Sequence, residues 1–182
     1  MAEINDNEIV RLLTDPKTRR QAFTQVVRQY SEPLYWKIRR IVLTHDDAND
    51  ILQNTLIKAW TNLDHFQNKS KLSTWLYRIA MNEALDFLRR QKTAGKVSAD
   101  DDQGVANQLL ADDYFDGDET EAQLQQAIAL LPDVQRMVFN LRYFDEMPYA
   151  EMSQLLSTSE GALKASYHLA VKKISEYFKR HD

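Results

Sequence analysis

The sequence predicts an all-α protein of two small helical domains joined by an acidic linker. Three observations carry this. Only 4 Gly and 4 Pro occur in 182 residues, too few breakers for a sheet protein, which needs turn residues every few positions. Apolar residues recur at three- and four-residue intervals over most of the chain. Between Ala94 and Glu121 the periodicity stops, in a stretch with nine acidic residues and one basic residue, Lys96. The boundaries this implies are 1–93, 94–119 and 120–182.

In the first domain a helical pattern covers 8–42. Ile9, Val10, Leu12 and Leu13 start it, and Asp15-Pro16 interrupts it. Phe23, Val26, Val27, Tyr30, Leu34, Ile38, Ile41 and Val42 then continue it, with a kink or a new helix start predicted at Pro33. Thr44-His45-Asp46-Asp47 is a polar break with an N-cap signal. The next helix is expected from 48 to about 63, with Ile51, Leu52, Thr55, Leu56, Ala59 and Trp60 on one face. Its other side, Asp46, Asp47, Asn49, Asp50, Gln53 and Asn54, is acidic and amide-rich. After a polar loop at 66–72, Ser73 or Thr74 is expected to cap a helix reaching about 91. That helix, STWLYRIAMNEALDFLRRQK, carries two stripes. Leu76, Ile79, Ala80, Ala84, Phe87 and Leu88 suit a core, while Arg78, Asn82, Asp86 and Arg89 lie on a different side.

The acidic stretch reads as a linker, in which Leu109, Leu110, Tyr114 and Phe115 could dock locally. Beyond it a helix is expected over 120–131, with Leu124, Ala127, Ile128 and Leu131 inward. Pro132 opens another, with Val134, Met137, Val138, Leu141 and Tyr143-Phe144 as its apolar set, and Asp145-Glu146 makes a turn. A short helix over 149–156, the break Ser157-Thr158-Ser159 and a last helix from 160 to about 178 form a helix-turn-helix. Ala150, Met152, Leu155 and Leu156 are expected to pack on Leu163, Tyr167, Ala170 and Ile174, with Ser159 as the cap.

Composition narrows the function. There is no cysteine, so disulfides and thiolate metal sites are excluded. The opening MAEINDNEIV lacks the basic and apolar regions of a signal peptide, and no apolar run approaches the roughly 20 residues of a membrane span. A soluble, cytoplasmic protein with no direct membrane insertion is expected. Phosphate-binding GxxxxGK[ST], HExxH and GxSxG patterns are missing, and His45, His65, His168 and His181 are isolated. No enzyme activity, cofactor or metal is therefore expected. The net charge of −4 argues against a nucleic-acid partner only as a sum, because outside the acidic stretch 22 basic and 18 acidic residues leave a net +4.

Residues early on the second helix of a helix-turn-helix enter the major groove. Here these are Lys164, Ala165, Ser166 and His168, with Lys172 and Lys173 placed for phosphates. A helical hairpin with a solvated face is the competing reading. In the first domain, Trp75 and Tyr77 follow the basic loop Lys69, Ser70, Lys71, and Ser73 lies between. Aromatic faces beside cations suit single-stranded nucleic acid. Arg89, Arg90 and Lys92 favour phosphates. A solubilising surface and a core Trp75 are the alternatives. The acidic side of the preceding helix would repel DNA and fits a basic protein surface, with a plain solvated face equally open.

Together DANDILQNTLIKAW, STWLYRIAMNEALDFLRRQK, the acidic linker and MPYAEMSQLLSTSEGALKASYHLAVKKI resemble the extracytoplasmic-function sigma factors of bacterial RNA polymerase. The resemblance covers about 10–93 and 120–180 and implies sigma region 2-like and region 4-like domains. It implies that Asp47, Asp50 and Gln53 dock on the β′ clamp of core polymerase, with the β flap as a further contact. It places Lys69, Ser70, Lys71, Ser73, Trp75, Arg78, Asn82, Asp86, Arg89 and Arg90 at the minus-ten element of promoter DNA. It places Lys164 to His168 at the minus-thirty-five element. An anti-sigma factor is a partner often found in the family. Where many members carry a GTVKSRLHRA pattern this chain has GALKASYHLA, with Ser166 and Leu169 at common arginine positions, and Asn49 replaces a common acid. Two other functions fit the residues: a stand-alone helix-turn-helix regulator, and an interaction adaptor without a DNA role.

Overall fold

The structure, a computed structural model, describes residues 5–94 and 117–181. Most of the acidic linker, with Leu109, Leu110, Tyr114 and Phe115, lies outside the described residues. The described residues are all-α: α1 (Asp6–Thr14), α2 (Arg19–Val42), α3 (His45–Thr61), α4 (Leu72–Thr93), α5 (Glu119–Ala129), α6 (Asp133–Tyr143), α7 (Tyr149–Leu156) and α8 (Glu160–His181). A 3₁₀ turn, Leu63–His65, follows α3.

Half of the eight helix starts among the described residues are capped by a side chain. Asn5 accepts from the Asn7 amide at 3.0 Å, and Asp118 from the Glu121 amide at 3.0 Å. Thr44 accepts from the Asp47 amide at 3.3 Å and donates its hydroxyl to the Asp47 carboxylate at 2.7 Å. Each satisfies an orphan donor of a first turn. Two expectations fail. No new helix starts at Pro33, because α2 runs unbroken through it. Buried Leu34, Tyr35 and Ile38 directly follow, and their packing outweighs the lost backbone bond. Nor does Ser73 or Thr74 cap α4, which begins at Leu72 behind Lys71 without a side-chain cap. Leu72 is buried, and burying it fixes the first turn one residue early.

The apolar stripe of α4 is the wall of the first unit. Leu76, Ala80 and Ala84 are fully buried against α2 and α3, with Ile79, Phe87 and Leu88 at the margin. Thr55 and Ala59 of α3 are also fully buried, and buried Glu83 of α4 accepts an ion pair from Lys58 of α3. Leu76→Ala is expected to cost about 2–5 kcal/mol of stability, read as a lowered urea midpoint with an unchanged slope. An unshifted midpoint would mean that the stripe is not the core.

In the second unit the helix-turn-helix forms as expected. Ser157 takes a left-handed conformation at the end of α7, with φ of 50°, and Ser159 accepts from the Ala162 amide at 3.3 Å. Its packing differs from expectation. Ala150 is exposed, and Ala170 and Ile174 pack with Ala127 and Ile128 of α5, Leu131 of the following turn and Phe139 of α6 rather than with α7. The 8 residues of α7 are too short to cover the 22 of α8. Val134 and Tyr143 also point outward, 60% and 54% exposed.

The two units pack together. Met137, Val138, Leu141, Met147, Met152 and Leu163 share one core cluster with α1 to α4. A polar joint lies beside it. Arg136, 2% exposed, donates to the Ile41 carbonyl at 2.9 Å, to the Leu131 carbonyl at 2.9 Å and to Asp133 at 2.8 Å. Asn140 donates to the Arg40 carbonyl at 3.3 Å. The second unit thereby satisfies carbonyls of the last turn of α2, which that helix leaves without partners.

Candidate functional site

Three surfaces hold the residues singled out in the sequence. The first is the outer side of α3. Asp50, Gln53 and Asn54 are exposed there, and Ile57 and Trp60 extend the same helix as exposed apolar groups. Trp60 meets Phe23 edge-on at 5.2 Å between ring centroids, which holds the indole at the surface. Asp47 sits at the N-terminal edge, its carboxylate tied to Thr44, so part of its role is to start the helix.

The second surface is α4 with the loop before it. Arg78, Asn82, Asp86, Arg89 and Arg90 are all exposed, and so are Lys69 and Lys71. Ser70, Ser73 and Trp75 are half-buried. Trp75 packs on Phe66 at 5.0 Å between centroids, so its ring is fixed without being sunk. Asp86 and Arg89 pair across one turn at 3.4 Å, a surface contact worth little in itself. The stripe therefore exists as a face, with its cations concentrated toward the C-terminal end of α4, where the helix dipole favours them.

Tyr77 departs from its sequence reading as an aromatic face for nucleic acid. It is buried at the joint, donates its hydroxyl to Asp145 and lies under Lys37, whose ammonium is 4.1 Å from the ring centroid. Lys37 pairs with the same carboxylate at 2.8 Å. Burial, and then the charge of Asp145, push the Tyr77 hydroxyl well above the usual phenol range, so it remains a donor in alkaline solution. Next to it, Arg78 of the exposed stripe reaches Glu151 of α7 at 3.3 Å. The second unit thus sits over the N-terminal half of α4 and leaves Arg89 and Arg90 open.

The third surface is α8. Lys164, Ala165, His168, Lys172 and Lys173 are exposed and Ser166 is half-buried. The Lys164 ammonium stands 5.6 Å from the ring centroid of Tyr149. Among the described residues no cluster of His, Cys, Asp and Glu could hold a metal ion, and no helix is long and apolar enough to cross a membrane.

Sequence reasoning did not single out Glu83, Arg136 or Asn140, and read Asp145 only as part of a turn. Only Arg136 left a local trace, an arginine with Asp133 three residues before it inside an apolar helix. Burial pulls its guanidinium below the usual arginine range, and Asp133 opposes the shift.

Family profiles match both units in order: Sigma-70 region 2 over residues 26–94 and Sigma-70, region 4 over residues 121–174. The chain belongs to the sigma-70 family. It is 32% identical over 161 residues to the ECF RNA polymerase sigma factor SigW of Bacillus subtilis strain 168, covering 84% of this chain and 86% of that protein. It is 28% identical over 166 residues to the RNA polymerase sigma-H factor of Pseudomonas aeruginosa strain PAO1, covering 86% of each. Among solved structures, the sigma factor RpoE of Bartonella quintana, crystallised with the anti-sigma factor NepR, shares its fold. The TM-score is 0.63 at 21% identity, covering 86% of this chain and 96% of that one. CnrH, solved with the cytosolic domain of CnrY, also gives 0.63 at 21% identity, covering 97% and 99%. This sigma factor is of the extracytoplasmic-function class.

Proposed function

We propose that this sigma factor uses its three surfaces for three partners in transcription initiation. The outer side of α3, with Asp50 and Gln53, docks on the β′ clamp of core polymerase, while the second unit meets the β flap. The loop and outer stripe of α4 hold the minus-ten element, with Lys69, Ser70, Lys71, Ser73 and Trp75 near the unpaired strand. The exposed side of α8 meets the minus-thirty-five element. The sigma factor RpoE of similar fold, solved with the anti-sigma factor NepR, supports a further partner of that kind.

The separation of charge carries this reading. The acids of α3 and the arginines of α4 lie on neighbouring helices of one small domain, yet each forms its own exposed face. A surface that repels phosphates beside one that attracts them fits simultaneous contact with a protein and with DNA. The joint limits this arrangement, because Arg78 is paired with Glu151 and gains access to DNA once α7 moves away.

Titration of labelled chain with bacterial core polymerase by fluorescence anisotropy tests the first contact. An Asp50→Ala, Gln53→Ala variant is expected to bind at least about fivefold more weakly, since exposed polar groups at an interface rim contribute modestly one by one. Equal affinity of the two proteins would remove α3 from the polymerase contact. Tight duplex binding by the chain without polymerase would favour a stand-alone regulator instead.

A further inference from the structure

The exposed side of α8 carries an unusual set of groups for a helix that reads base edges. Opposite its buried row, Leu163, Ala170 and Ile174, stand Gly161, Ala165, His168, Leu169 and Lys172. Ala162 is exposed beside them. Leu169 is 45% exposed, and no apolar partner covers that part of it. A Cβ on Gly161 would meet nothing within 4 Å, so the backbone there is open to close approach.

The absences in α8 are as informative. From Glu160 to Lys179 there is no Arg, Asn or Gln. Arg to guanine, and Asn or Gln to adenine, are the planar side chains that pair two hydrogen bonds with one base edge in the major groove. Lys164 is the one early side chain that could donate twice to a guanine, and its ammonium leans toward the Tyr149 ring at 5.6 Å. Lys172, Lys173, Lys179 and Arg180 are exposed further along the helix. Their charge suits a duplex as occupant and fixes its phosphates without reading its sequence.

Building on the proposed contact of α8 with promoter DNA, we propose that Ala165 and Leu169 are its specificity-determining residues, and that they read the C5-methyl groups of thymine in a minus-thirty-five element rich in A·T pairs. Apolar contact is the one form of base readout these side chains can supply, and the thymine methyl is the apolar group on the major-groove edges. Gly161, one turn before Ala165, lets the helix start settle against the groove floor. The cations beyond Leu169 hold the helix in register.

The test uses holoenzyme assembled from the full chain and bacterial core polymerase. It is first presented with duplexes randomised across the upstream element, and bound sequences are recovered. Thymines are expected at two or more fixed positions. Each is then replaced by deoxyuridine, which removes only the methyl, and binding is expected to fall about fourfold per methyl, the value of one buried methyl group. Leu169→Ala holoenzyme is expected to lose that thymine-over-uracil preference at one position while still requiring the downstream element. Leu169 is exposed, so the variant should fold, and unchanged thermal unfolding checks this. Recovered sequences fixed by guanines, or full indifference to deoxyuridine, would overturn the inference and leave the sigma function standing. A Leu169→Ala protein that keeps the whole methyl preference would overturn the role of Leu169. Failure to form holoenzyme would overturn the proposed function and this inference together.

Discussion

Arg136→Ala is expected to lower the melting temperature of the free chain by about 10 °C. The side chain is 2% exposed and makes three hydrogen bonds, two of them to backbone carbonyls. Truncation strands the Ile41 and Leu131 carbonyls and leaves a void where the guanidinium lay. Breaking such a buried charged group costs about 3–5 kcal/mol, and each kcal/mol is about 2–4 °C for a chain of this size. The loss should also be local in kind, because the bond to Ile41 belongs to the joint, whereas the bonds to Leu131 and Asp133 lie within the second unit. Limited proteolysis should therefore find faster cleavage between the units. Arg136→Lys keeps a charge but can satisfy fewer of the three acceptors, and should fall between the two proteins. A melting temperature within 2 °C of the parent would mean that the joint is held by its apolar cluster alone.

The second large effect is expected at the other end of α4. Arg89→Ala, Arg90→Ala should reduce promoter opening by holoenzyme at least about tenfold, because charge-assisted contacts to phosphate are the strong ones. It should also lower the slope of log affinity against log salt by about two, one for each lost phosphate contact. Both side chains are exposed, and Arg89 makes only a 3.4 Å contact with Asp86. Stability should stay within about 0.5 kcal/mol. That pattern separates a DNA contact from a structural role. Normal opening, measured by permanganate reactivity of unpaired thymines, would remove these arginines from the DNA face.

How far the sequence could be read depended on the range of the interaction that decided each feature. The caps at Thr44 and Ser159 are set within three residues, and the two stripes of α4 within twenty, so periodicity and residue type were enough. Pro33 and Leu72 were misjudged because neighbours distant in the chain outweighed the local signal. The outward Val134 and the exposed Ala150 were misplaced for a related reason. An apolar residue on a short helix faces the core only if some other element reaches that side. Nothing local could reveal the joint, because Arg136 and Ile41 are 95 residues apart, and Tyr77 and Asp145 are 68 apart. The candidate surfaces were legible as charge and exposure, whereas the pairing of Arg78 with Glu151 required the fold.

Under the proposed function the joint would also set a threshold for loading onto polymerase. Elements centred near minus ten and minus thirty-five lie about 85 Å apart along a duplex, taking about 25 base pairs at about 3.4 Å each. A compact chain of 182 residues has a radius of gyration of about 16 Å and spans only about 40 Å. Closed, it cannot touch both elements. The connection over 94–118 has 25 residues and could reach at most about 90 Å when fully extended, just enough once the units part. Core polymerase that requires the parted form meets only the fraction of molecules in that form. Its apparent affinity drops tenfold for every 1.4 kcal/mol or so that the joint contributes. The hydrogen bonds that keep the free chain stable would thus also fix how much polymerase must be present before the chain becomes active.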